Sequence, residues 1–153
     1  MAAPRVDIWG YMIDPHRLAA LNPDSVGIDA VHPAGPLQSG QHWVEHAHSP
    51  LGLQNLETRV ATVDAERGVI EIQANGPFGL HITSRISLTP VTGDNGQTIV
   101  VFEHRCVWPS GPLRAVIAGV IGARMRAGTD TALHRLARAV EGATPSGSSA
   151  TPT

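Results

Sequence analysis

Between residues 25 and 107 apolar and polar side chains alternate position by position, and the alternation breaks where turn-forming residues cluster. Ile82, Ser84, Ile86 and Leu88 form a mainly apolar row against His81, Thr83, Arg85 and Ser87. Farther on, Val100, Phe102, His104 and Cys106 separate in the same way from Ile99, Val101, Glu103 and Arg105. Residues i and i+2 of an extended chain share a side, so each row is one face of a strand. One packed face and one wet face mark an antiparallel sheet. Turn signals at residues 32–35, 50–52, 66–68, 75–79 and 92–96 cut the region into six consecutive strands.

The flanks are helical. Residues 7–12 are a short mixed apolar segment, and Asp14-Pro15 then suits the opening of a second helical piece over residues 15–23. From 111 to 141, Leu113, Ile117, Val120, Ile121, Met125, Leu133, Leu136 and Val140 fall near one stripe, while Arg114, Arg124, Arg126, Arg135 and Arg138 read as a solvated face. This predicts one long amphipathic helix. Gly119, Gly122 and Gly128 each cost about 1 kcal/mol against Ala inside a helix, which predicts a bend or a close approach to the sheet. Two short helices, six antiparallel strands and a long helix, in that order, are an α+β arrangement whose sheet must curl around the last helix to bury its stripe. Curled in that way, the sheet encloses a hollow.

With 153 residues, 42% hydrophobic and 16% charged, the chain carries enough apolar material for one core without a metal or disulfide staple. The formal net charge of -2 supplies no field that would gather a phosphate backbone or an anionic membrane, so no nucleic-acid partner is expected. Cys106 is the only cysteine, which excludes an intrachain disulfide. Residues 1–10 lack the basic stretch and apolar run of a signal peptide. The longest apolar stretch, residues 113–123 interrupted by Arg114, falls short of the roughly 20 residues that cross a bilayer. A soluble cytoplasmic protein is the expectation. No strand leads into a glycine-rich phosphate loop, so no cofactor is expected.

Several strings, taken in order, carry a family resemblance. They are APRVDIWGYMIDPHRLAALNP, GPLQSGQHW, ETRVATVDAERGVIEIQ, the strand ending SLTP, QTIVVFEH, and GPLRAVIAGVIGARMRAGTDTALHRLARAVEG. Over residues 2–142 the chain resembles the SRPBCC (START-like) superfamily, within it the polyketide cyclase/dehydrase family. The resemblance implies a helix-grip fold, a curved antiparallel sheet wrapped around a long C-terminal helix, over a domain of residues 1–142. Residues 143–153, rich in Pro and Ser, are expected to be a disordered tail. Family members begin with a full strand before the Ala-Pro element, whereas only Met1 and Ala2 precede Ala3-Pro4 here. The first strand therefore looks truncated. The strand carrying Phe102 and His104 is then expected to be an open edge unless further residues or a partner chain cover it, which raises a homodimer.

The resemblance also implies that the face carrying Trp43, Leu56, Val60, Ile72, Ile86, Val100 and Phe102 looks into the hollow. On the same parity Glu45, Thr58, Ser84, His104 and Cys106 point inward. A mostly apolar pocket with a few convergent polar groups is the general form of a small-molecule site. The candidate site is Trp43 and Phe102 for contact area, Ser84 for orientation, Tyr11 and Ile117 as walls, and Glu45 and His104 as groups that orient a ligand or act as general acid or base. A plainer alternative is that Glu45 and His104 are buried polar groups satisfied by each other, by Tyr11 or by water. Cys106 lies two positions from His104, but a lone buried Cys is generally a small hydrophobe. His42, His46 and His48 share the outward face of their strand and lack the fixed ligand set of a metal site, so no metal is expected. Three functions follow as expectations: binding of a small hydrophobic or amphipathic, lipid- or polyketide-like molecule; a cyclase or dehydratase using His104 or Glu45; and a non-catalytic dimer or interaction module.

Overall fold

Asp14 makes the first break in the chain. Its Oδ1 accepts hydrogen bonds from the backbone N–H of His16 at 2.9 Å and of Arg17 at 3.3 Å, and Pro15 takes the first helical position. This cap separates α1 (Arg5–Met12) from α2 (Pro15–Leu21). The computed structural model describes residues 1–50, 52–93, 96–107, 111 and 114–142, with backbone alone at 78, 114–117 and 121. Residues 143–153, expected to be a disordered tail, lie outside the described residues.

Six strands follow α2: β1 (Ser25–Ile28), β2 (His42–Ser49), β3 (Gly52–Asp64), β4 (Val69–Asn75), β5 (His81–Pro90) and β6 (Thr98–Val107). They form one antiparallel sheet in sequence order, and α3 (Arg114–Glu141) lies across it, a helix-grip arrangement of the α+β class. Irregular pairing between Val60 and Thr62 on β3, and between Ser25 and Gly27 on β1, adds the local twist that a curled sheet requires.

The concave face is solid at one end. Ile8 and Met12 of α1, Leu18 and Leu21 of α2, Val60, Ile70, Ile86 and Leu88 of the sheet, and Leu136 and Val140 of α3 bury one another there. The N-terminus is tied to the same end. The Met1 amino group donates to Thr98 O at 3.1 Å, Thr98 N–H donates to Met1 O at 3.1 Å, and the buried Thr98 hydroxyl donates to Ala3 O at 2.9 Å. Beyond Thr98, among the described residues, β6 pairs with β5 alone. Its outer face exposes Ile99, Val101 and Val107.

Three local expectations are corrected. The GPLQSGQ string stands outside the sheet, because the second strand begins only at His42. Gln41, fully buried, holds that loop: its Nε2 donates to Pro33 O at 2.7 Å and also reaches Gly35 O and Pro36 O. The stripe expected from residue 111 becomes helix at Arg114. Gly128 approaches the turn after α2 rather than the sheet, since a Cβ added there would meet the Pro23 ring at 3.6 Å, while Gly119 has open space around it.

Leu136 is fully buried at the centre of the clamp. Leu136→Ala is expected to lower the unfolding free energy by about 2–5 kcal/mol, through lost transfer energy and an unfilled cavity. Urea denaturation measures it, and a loss well under 1 kcal/mol would mean that α3 is not gripped by the sheet.

Candidate functional site

At its other end the concave face is not filled. A cavity of about 310 Å³ lies between the sheet and the stretch of α3 from Arg124 to Ala132. Its apolar wall comes from Trp43, Leu56, Ile72, Ile82, Ile86 and Phe102 of the sheet, with Met125 and Ala132 of α3 opposite. Gly128 also lines it, packed close to the Pro23 ring of the turn after α2.

Strand register places the polar groups. Ile72 of β4 faces Ser84 of β5, which faces His104 of β6, and all three line the cavity. Ser84 Oγ and His104 Nδ1 share a hydrogen bond of 2.8 Å, and the Phe102 ring lies 6.5 Å from the imidazole, centre to centre. Burial among these neighbours lowers the His104 pKa, because nothing beside it stabilises the charge. His104 is therefore a neutral imidazole at pH 7, although one side of it still meets solvent.

Glu45 lies across the sheet on β2. Burial raises its pKa, against the pull of a hydrogen bond donated by Asn22 Nδ2 to Oε1 at 2.8 Å. The Ser25 hydroxyl is close enough to favour the ionised form but closes no well-formed bond. Glu45 and His104 thus face one cavity from β2 and β6, each with its own partner. Neither is bonded to the other or to Tyr11.

Tyr11 does not line the cavity. It packs on α1 against the core, with the Arg17 guanidinium 5.5 Å from its ring centre. Ile117 belongs to α3, but its side chain is outside the described residues. Cys106 turns to the helix and its Sγ donates to Met125 Sδ at 3.1 Å. Burial raises its thiol pKa, the reverse of what activates a nucleophile. On the outer face of β2, His46 bonds Asn55 Oδ1 at 2.8 Å and Asp29 Oδ1 at 3.0 Å, and among the described residues no three His, Cys, Asp or Glu groups are gathered around one point.

Two features of the rim escape a reading of the sequence. Asp24 and Arg124 line the cavity mouth as an ion pair with contacts of 2.5 and 2.8 Å, tying the α2–β1 turn to α3. The guanidinium holds the Asp24 carboxyl below its usual range. The second feature is Asn22, whose Oδ1 accepts from Asp24 N–H at 3.1 Å while its amide serves Glu45. An Asn before Pro-Asp suits a turn of this type, although residues 15–23 read as helical throughout. Nothing local signalled a pair separated by 100 positions. Arg124 and Arg135 are accordingly not free members of a solvated face, Arg135 Nη1 donating to Ala20 O at 3.0 Å.

The family model for polyketide cyclase / dehydrase and lipid transport matches residues 1–141. The chain belongs to that family. Its fold within the SRPBCC superfamily is shared by solved structures of low identity. The Zhui aromatase/cyclase of Streptomyces sp. R1128 is 19% identical, with 91% of this chain and 90% of that one covered at a TM-score of 0.69. A protein of Thermus thermophilus is 13% identical, covering 94% of each chain at 0.68. A conserved protein of Geobacillus kaustophilus is 11% identical, covering 93% and 91% at 0.65. No curated protein matches the chain. Among the described residues no helix is long and apolar enough to cross a membrane.

The raised carboxyl of Glu45 gives a pH signature. A folded pKa above the unfolded one means that its stability contribution is full below the unfolded value of 4.5 and is lost as pH rises through the folded pKa. Glu45→Gln keeps the acceptor for Asn22 and cannot ionise. It is expected to raise the melting temperature at pH 7 and to change it little at pH 4, as thermal melts at both pH values would show; an equal effect at both would contradict a destabilising buried carboxylate.

Proposed function

We propose that this protein binds a small hydrophobic or amphipathic molecule, lipid- or polyketide-like, in the cavity between the sheet and α3, as a cytoplasmic carrier or receiver. The observation that supports it most is the cavity wall itself. Apolar side chains from five of the six strands surround a space of about 310 Å³, with polar groups at few, separated points. Binding draws on apolar burial, worth about 25 cal/mol per Å² removed from water. Trp43 and Phe102 supply contact area, while Glu45, Ser84 and His104 orient the guest.

Filling the space tests this. Ala74 lines the cavity on β4, so Ala74→Phe is expected to weaken binding of a plain bicyclic hydrocarbon such as tetralin at least tenfold while the fold persists. Calorimetric or NMR titration measures it, and unchanged affinity would remove the cavity from the reading.

A second reading is enzymatic, and the Ser84–His104 pair favours it. A neutral imidazole in an apolar wall is a competent base for enolisation or dehydration of a bound polyketone, with Glu45 as a second group across the cavity. The Streptomyces neighbour is named an aromatase/cyclase, which accords with this reading. His104→Ala is expected to abolish turnover of a polyketone while leaving tetralin affinity within about twofold. Loss of both together would make His104 a contact residue only.

The β6 edge favours an interaction as well. In an antiparallel pairing of two β6 strands centred on His104, Glu103 of one copy meets Arg105 of the other and Val101 meets Val107, a self-complementary register. Sedimentation reports the assembly, and a monomer at high concentration would exclude it.

A further inference from the structure

Among the described residues, two buried side-chain polar atoms have no hydrogen-bond partner, Ser25 Oγ and Trp43 Nε1. The first sits beside the Glu45 carboxyl. The second has no such neighbour. Trp43 is 4% exposed, lines the cavity, and carries an indole N–H that can only donate. Buried donors without acceptors are rare in folded proteins, and each calls for a cause.

Among the described residues no protein acceptor lies within hydrogen-bond reach of this N–H. Thr58 stands directly across from Trp43 on β3, and its hydroxyl is turned to Leu56 O at 3.3 Å. Along the same row Ala74 and Ile82 are apolar. Glu45, two positions on along β2, already receives Asn22. We infer that the Trp43 indole N–H is a donor for the guest, so that the pocket selects apolar molecules bearing one accepting oxygen, a carbonyl or an ether, at its β2 end. The inference rests on the pocket reading above and adds a selecting residue to it. A pure hydrocarbon leaves the donor without a partner, whereas an oxygen-bearing guest that reaches it supplies one.

A matched pair of probes tests this, tetralin and 1-tetralone, which share a bicyclic skeleton and differ by one carbonyl oxygen. Both are titrated into 15N-labelled protein, with the Trp43 indole resonance assigned from Trp9→Phe and Trp108→Phe spectra. 1-Tetralone is expected to move the Trp43 indole proton downfield and tetralin is not. Trp43→Phe removes contact area for both probes and is expected to weaken 1-tetralone about tenfold more than tetralin, the usual scale for one hydrogen bond to a buried donor. Both probes binding with the indole proton unmoved, or losing affinity equally on substitution, would overturn the inference and leave the pocket standing. Failure of both probes to bind would overturn the pocket reading, and the inference with it. The resonance in the unsubstituted protein decides the matter even if Trp43→Phe does not fold.

Discussion

One helix is too narrow to fill the concave face of a six-stranded sheet, and the rest of the molecule follows from how that mismatch is met. At one end α1, α2 and the last turns of α3 combine to fill it, with Ile8, Met12, Leu18 and Leu136 closing the core over Ile70 and Leu88. At the other end, among the described residues, the stretch of α3 from Arg124 to Ala132 faces the sheet across a cavity. A core packed to crystal-like density therefore grades into a hollow along one and the same face. The solid end fixes the curvature that keeps the hollow open.

The polar groups of the hollow are placed by two devices. Strand parity sets Ser84 and His104 side by side on β5 and β6, and the turn after α2 carries Asn22 to Glu45 on β2. Burial acts on both titrating groups in the same physical sense, against charge, and so raises the carboxyl and lowers the imidazole. Both shifts disfavour charge inside the hollow, while the Asp24–Arg124 ion pair sits out at the rim. Such an interior suits an apolar guest whose few oxygens meet neutral donors.

The strands were legible because period-two alternation is local: Ile82, Ser84 and Ile86 do share the inner face, and the pairing of β5 with β6 runs in the register that alternation implies. The inward parity of Trp43, Glu45, Phe102 and His104 could be read for the same reason. What escaped was non-local or held by a single side chain. Gln41 turns a stretch that looked like strand into a loop through contacts with three carbonyls. Asp24 and Arg124 meet only because α3 returns over the turn after α2. Tyr11, expected as a pocket wall, packs instead against the core from α1, with the Arg17 guanidinium over its ring.

The central claim is that the hollow, rather than the exposed outer face of the sheet, receives the guest. Intermolecular NOEs from bound tetralin to methyl-labelled protein test it most directly. The account predicts contacts to the methyls of Ile72, Ile82 and Ile86 inside the cavity. Contacts confined to Ile99, Val101 and Val107 on the outer face of β6 would contradict it.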